Sequence, residues 1–479
     1  MKKEKARMSE GLPPERVDTT GELDRALSLG GLLALAVSDI TPMASLLVIA
    51  PVVLGLAGTA GFWAYLIGCF IAINVAACMG ELGSIYPVAG GQYSIVHRVL
   101  GGPLGFVALL DYLVQAVFLP ASIVLGFGTY LHSLNHLFPV GLSSAVVMAI
   151  VTIVAVLRIR ANAVLVGIFL AIEVTVLAIL TLDGLSHLNQ PLSIIFQPVA
   201  ARGGELAPVA TGAIIAALAT ALFSVNGYDS TLNFSEETRG PASHIGRAVV
   251  LAALAGILLE IVPFTADLFG AQNLKAYLSS STPLTDLVAH TWGSALAKVM
   301  IVGALFALFN AVLAITLQFA RIVWSSARDQ AWPQPVNEML GRVHPRYHSP
   351  WVATLIMGTV ATVLCFAASL VTAVTFTAVL IVTMYGLVAI SALVSRVRDR
   401  RLRRPSKMWF WPAPPIIALA GVVIALTQQK PGDLLVLLAL FVVGLGYYVV
   451  YLRRRPQRWV PHVDEEILEP QAAQSLEEG

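Results

Sequence analysis

Long apolar runs broken by short polar stretches recur along the whole chain, and each run is close to the roughly 20 residues that an α-helix needs to cross a bilayer. The pattern predicts twelve spans: Leu27–Leu56, Phe62–Met79, Leu104–Leu131, Leu142–Leu157, Val164–Leu182, Val209–Phe234, Val249–Phe269, Ala295–Phe319, Trp351–Ala367, Thr372–Val394, Trp411–Leu426 and Leu434–Leu452. Most connections are short, Asp183–Pro208, Gly270–Ser294 and Ala320–Pro350 being long, and the chain reads as an all-α integral membrane protein with one domain over 27–452. Polar tails flank it at 1–26 and 453–479.

Two spans are interrupted where an uninterrupted helix is expected. In the first, Ser38-Asp39-Ile40-Thr41-Pro42 places a residue without a backbone N–H beside three polar side chains. In the sixth, Ser224-Val225-Asn226-Gly227-Tyr228-Asp229 combines a flexible glycine with polar groups that are costly in lipid. Irregular backbone at membrane depth survives only when buried in protein or lining a cavity. Breaks in spans 1 and 6 are the placement expected of two inverted five-helix halves, here 27–182 and 209–394, followed by two extra helices over 411–452. Ser38, Asp39, Ile40, Thr41, Pro42, Ser224, Asn226, Gly227, Tyr228 and Asp229 are therefore the candidate substrate-binding residues. Half-helix N-termini there would offer N–H groups to a carboxylate, and freed carbonyls would accept from an ammonium group or a cation.

Between spans 2 and 3 lies a crowded polar turn, MGELGSIYPVAGGQYSIVHRVLG over Met79–Gly101, in which Pro87 restricts φ and Gly90-Gly91 open backbone shapes closed to other residues. Such a segment suits a specifically folded link between helices rather than a plain membrane anchor.

Composition and charge sharpen this picture. Of 479 residues, 57% are hydrophobic and 12% charged, which excludes an ordinary soluble domain. With the N-terminus inside, 26 of the 30 Lys and Arg residues fall on cytoplasmic segments, including seven over Arg396–Lys407. An even span number with both termini cytoplasmic satisfies that bias, in a multi-pass protein of the plasma membrane. The basic residues are spread over loops facing one anionic leaflet, so the net charge of +2 points to the lipid bilayer and not to nucleic acid. No cleavable signal is expected, because Met1–Arg25 is polar and the first apolar run is too long for a signal-peptide core. Cys69, Cys78 and Cys365 lie within spans without metal-ligand spacing and read as packing residues. The histidines are scattered, and no metal, cofactor or nucleotide-binding motif is expected, which argues against an enzyme and against ATP-driven transport.

Three motifs resemble the amino acid–polyamine–organocation permeases. GELGSIYPVAGGQY at Gly80–Tyr93 is similar to that family's signature after the second helix. FSVNGYDSTLNFSEETRGP at Phe223–Pro241 is similar to its broken sixth helix, and ARDQAWP at Ala327–Pro333 to the loop after the eighth. The resemblance implies a leucine-transporter-type five-plus-five inverted repeat with two added helices, alternating access, and substrate held between helices 1, 3, 6, 8 and 10. It also marks two departures. A glycine-rich break in helix 1 is replaced by Ser38–Pro42, and the lysine that some proton-coupled members carry in helix 5 is replaced by Phe169.

Asp39, Asp111, Glu173, Asp229 and Glu260 lie within spans, where an ionised group must be paired, hydrated or protonated. Glu173, one turn beyond Phe169, is the preferred coupling carboxylate. Asp111 is the second candidate and has a structural alternative, a bond to Gln115 on the same helical face. Glu260 is expected to face an aqueous vestibule near the outer end of span 7. Tyr228, with Tyr385 as a weaker counterpart, is a gate candidate, and Glu236 and Glu237 are expected to pair with Arg239. The whole reads as a secondary transporter importing an amino acid by symport with a cation, expected to be H⁺. A polyamine or amine permease, or an exchanger, stands as the alternative, with a permease-like sensor or channel more remote. No oligomeric state follows from the sequence.

Overall fold

The computed structural model describes residues 28–86, 90–157, 159–233, 238, 241–455 and 459. The first apolar run is not one helix. Helix α1 (Leu29–Ile40) stops at Thr41, whose φ of 50° is left-handed, and the chain restarts as the single turn α2 (Pro42–Ala44). A π-helical turn at Ser45–Ile49 then leads into α3 (Ala50–Ala57). Pro51 cannot donate to the carbonyl of Leu47 four residues earlier, and that carbonyl instead accepts from the Tyr130 hydroxyl at 3.0 Å.

Helix α4 (Gly61–Ile85), the short α5 (Gly91–Leu100), α6 (Gly102–Leu134), α7 (Val140–Ala155) and α8 (Ile159–Ser186) follow. A single turn α9 (Ser193–Phe196) and the antiparallel hairpin β1 (Val199–Arg202) and β2 (Glu205–Pro208) follow, with Arg202 opposite Glu205 at the turn. Next comes α10 (Thr211–Ser224), which is interrupted before α11 (Ser230–Asn233), and then α12 (Ser243–Gly270). Short helices α13 (Leu274–Ser279) and α14 (Pro283–Trp292) precede α15 (Ser294–Arg328). Then come α16 (Gln334–Leu340), α17 (Trp351–Ala367), α18 (Leu370–Arg398), α19 (Ala413–Thr427) and α20 (Pro431–Val450).

Among the described residues, seven stretches are apolar and long enough to cross a membrane, and α7, α10, α17 and α19 are shorter apolar helices. Several helices outrun the apolar segments that announce them. Helix α8 spans Ile159–Ser186 rather than Val164–Leu182, and α15 runs to Arg328 rather than Phe319, because backbone hydrogen bonding continues past the last apolar residue. Outer faces of α7, α8, α17 and α20 expose Ile153, Leu182, Val363 and Val442, an apolar belt suited to lipid. The strongest helix pairings are α4 with α12, α6 with α15 and α8 with α12, followed by α7 with α17 and α6 with α18. In the interior sit α1, α10 and α18, with α19 laid on α18 and α4, and α20 on α6.

Gly90 and Gly91, with φ of 101° and 57°, turn the chain into α5 as the sequence leads one to expect. Pro87 lies outside the described residues, as do Glu236, Glu237 and Arg239.

Candidate functional site

The two interruptions touch. Gly227 has φ 119°, and a Cβ there would lie 2.6 Å from the carbonyl oxygen of Asp39 and from the N and Cα of Ile40. Only glycine allows one broken helix to rest its backbone on the other. Ser45 donates to the freed carbonyl of Ser224 at 2.8 Å, and the Ser224 hydroxyl pairs with Tyr65 at 2.8 Å. Gly256 on α12 lets Ile40 approach from the far side, where a Cβ would meet it at 2.9 Å.

Around this junction the polar groups are unevenly satisfied. Asp229 accepts from Gln92 at 2.6 Å and Tyr112 at 3.3 Å through one oxygen, while its other oxygen is buried without a partner. Asp39 stands within electrostatic reach of Asp229, Ser230 and Arg321 of α15. Ser38 accepts a long 3.4 Å bond from Asn310, whose own side-chain oxygen has no partner. Thr41 contributes its carbonyl to Ser45 N–H at 3.0 Å, and Pro42 occupies the first position of α2. Tyr228 and Tyr385 stack with ring centroids 6.1 Å apart, and Tyr385 donates to the side-chain oxygen of Asn226 at 2.8 Å. Both gate candidates thus meet at the sixth-span break.

Glu173 is placed more tellingly than its helix alone announces. Its carboxylate accepts from the backbone N–H of Met43 at 2.8 Å, so it occupies the acceptor position in front of an N–H freed by the first break. The sequence assigns that position to a substrate carboxylate; in the structure a protein carboxylate holds it. The second oxygen of Glu173 has no partner. Asp111 takes its structural alternative, accepting from Gln115 at 2.6 Å on α6, and reaches none of the break residues by a hydrogen bond. Glu260 corrects an expectation. It faces no vestibule: it is 1% exposed and lies beside Ser45 and Ser224, whose hydroxyls are engaged elsewhere. The deep burial of the face that Glu260 shares with Asp267 was not visible from hydropathy.

At the α5 end of the bundle, sequence reasoning missed a second constellation. Glu81 accepts from Arg396 at 2.7 and 2.5 Å, from Arg404 at 2.6 Å and from Met408 N–H at 2.8 Å. Tyr86 donates to Asp399 at 2.5 Å, and Tyr93 to Asp329 at 2.8 Å. The acidic residue and both tyrosines of the Gly80–Tyr93 motif therefore tie that segment to the C-terminal ends of α15 and α18 and to the connection after α18. A glutamate inside an apolar helix, with a basic cluster elsewhere, was the available signal.

The amino acid permease family model matches residues 27–447. The chain belongs to that family, within the amino acid–polyamine–organocation superfamily. Relatives are distant but long. The methylthioribose transporter of Bacillus subtilis (strain 168) is 21% identical, covering 83% of this chain and 87% of the relative. The branched-chain amino acid permease BcaP of Lactococcus lactis subsp. cremoris (strain MG1363) is 23% identical over 92% and 97%. The low-affinity putrescine importer PlaP of Escherichia coli (strain K12) is 23% identical over 62% and 65%. This permease is therefore a membrane transporter of small molecules.

Proposed function

We propose that this permease is a secondary transporter that imports an amino acid by symport with H⁺, through alternating access in the plasma membrane. The observation that carries the reading is the contact between two unwound segments deep in the bundle, bordered by buried carboxylates with unused acceptor capacity. A substrate ammonium would be held by Asp39 and Asp229 and by freed carbonyls of the breaks, with Tyr228 and Tyr385 covering it. Twelve spans in two inverted halves are supported by the pairings: α4 with α12, α6 with α15 and α7 with α17 each join spans five apart in order, as do the two breaks. The bias of Lys and Arg supports cytoplasmic termini.

A second reading, an amine or polyamine substrate, is favoured by the Glu173 carboxylate on Met43 N–H. That contact leaves a substrate carboxylate without its backbone donor and beside a like charge. Thermal-shift measurements on the purified full-length protein separate the two. Ornithine and leucine are compared with putrescine and isopentylamine, with methylthioribose as a neutral probe. A ligand at a hundred times its Kd stabilises the folded state by about 2.7 kcal/mol. Stabilisation by the amino acids supports the first reading, stabilisation by the decarboxylated partners alone supports the second, and a response to methylthioribose alone removes both.

A further inference from the structure

Helices α8 and α12 pack so closely that Gly184 has room for no side chain: a Cβ there would lie 2.5 Å from the backbone of Ala266. Along that seam lie four buried carboxylates. Asp183 and Glu173 belong to α8, and Asp267 and Glu260 to α12. Asp267 is 0% exposed and neither of its oxygens has a partner. Asp183 accepts from Trp292 at 2.6 Å through one oxygen, and its other oxygen is likewise unpartnered. Such an arrangement costs stability, since buried polar groups are ordinarily bonded and buried charges ordinarily paired.

The four are ordered in space. At one extreme His187, with a side chain 42% exposed, stands 3.3 Å from Asp183. Asp183 and Asp267 lie within electrostatic reach of each other. Asp267 and Glu260 share one face of α12 two turns apart, about 10 Å along the axis. Tyrosines occupy that interval: Tyr277 of α13 reaches Asp267, Tyr130 and Tyr65, and Tyr65 of α4 reaches Glu260 and bonds Ser224. Glu260 in turn neighbours Glu173, which holds the start of α2 at the first break. Asp286 of α14 faces Tyr130, and among the described residues no Lys or Arg is a charged neighbour of Asp267.

We propose that the seam between α8 and α12 is a proton-entry route, running from His187 and Asp183 at the hairpin end, through Asp267, to Glu260 and Glu173 at the substrate junction. The inference rests on the reading of the chain as H⁺-coupled. Each transfer is an exchange: a carboxylic O–H gives its proton to the next carboxylate or hydroxyl relay and becomes a carboxylate itself, so one proton enters as one is delivered and no other reactant is needed. Such a route explains why each of the four carboxylates keeps at least one oxygen without a partner, since a group locked in an ion pair cannot alternate between its two forms. It also separates the proton from the substrate, which would enter between the breaks.

Time-resolved infrared spectroscopy after a pH jump tests it on the full-length purified protein without a substrate. Glu173→Gln identifies the carboxylic C=O band of Glu173 by its loss. In the wild type that band titrates, and in Asp267→Asn, which keeps the side chain's shape, it titrates about a hundredfold more slowly, the size expected from removing a positioned proton-transfer group. Asp183→Asn slows it similarly, which guards against a folding defect in one variant. Titration at the wild-type rate in both variants overturns the route and leaves H⁺ coupling standing. A Glu173 band that does not titrate in the wild type overturns both.

Discussion

Two regions of this permease bury carboxylates, and they treat them in opposite ways. At the α5 end Glu81 is 1% exposed and receives two arginines and a backbone N–H. At the break junction, Glu173 has one backbone donor, Asp229 uses one oxygen, and Glu260 uses neither. Desolvation costs both regions heavily, but only the first recovers the cost locally. A saturated carboxylate can do little except hold two elements together, whereas an unsaturated one keeps free lone pairs for a ligand or a proton. The difference separates a lock from a working site.

Breaking the lock has the largest expected effect. Glu81→Ala leaves the part-buried Arg396 and Arg404 without their anion, a loss of at most the about 3–5 kcal/mol of a broken fully buried pair. The thermal midpoint falls clearly, and cysteines introduced along α5 become reactive to a membrane-impermeant maleimide. A variant with wild-type melting and unreactive cysteines would mean that the Tyr86–Asp399 and Tyr93–Asp329 bonds suffice to close that end.

The junction responds differently. Gly227→Leu puts a side chain where Asp39 and Ile40 lie 2.6 Å from a mere Cβ, on a backbone at φ 119°. Strain of about 1–3 kcal/mol is expected at such a position, before the steric clash. Uptake of whichever probe stabilises the wild type should vanish while the protein still reaches the membrane. Retained uptake would remove the substrate from the sixth-span break. The comparison sharpens if Glu81→Ala loses stability chiefly and Gly227→Leu loses transport chiefly.

Much of the junction was legible in the sequence because it is made by residues that forbid helix. Pro42 lacks a donor and Gly227 lacks a side chain, and such signals are local. The family was legible for the same reason, since Gly80–Tyr93 and Phe223–Pro241 are contiguous. What stayed hidden depends on packing between distant segments. Glu173 on Met43 joins residues 130 apart, and Glu81 meets Arg404 across 323. Hydropathy marks each carboxylate as unusual without naming its neighbour. Glu260 illustrates the limit: its position on α12 was read correctly, and its environment was not, because which face of α12 turns to α8 is decided by Gly184 and Gly270 meeting across the seam.

The smallest effect concerns the α5–α6 corner, where a titratable group sits outside the spans next to the lock. His97 packs edge-on against Trp459 with ring centroids 4.6 Å apart, and its Nδ1 has no partner. Burial, with Arg98 adding repulsion, pushes its pKa from 6.5 down to about 4. The folded state therefore keeps His97 neutral over a range in which the unfolded chain protonates it. Its contribution to stability is complete above the unfolded value of 6.5 and is lost as pH falls towards about 4. Across that window the thermal midpoint of the wild type should fall a few degrees more than that of His97→Gln, which cannot protonate. Trp459→Phe tests the packing half of the argument, since a smaller ring leaves the imidazole more hydrated and flattens the same slope. Parallel pH profiles for the wild type and His97→Gln would show that this corner, unlike the Glu81 lock, holds no pH-dependent share of the fold.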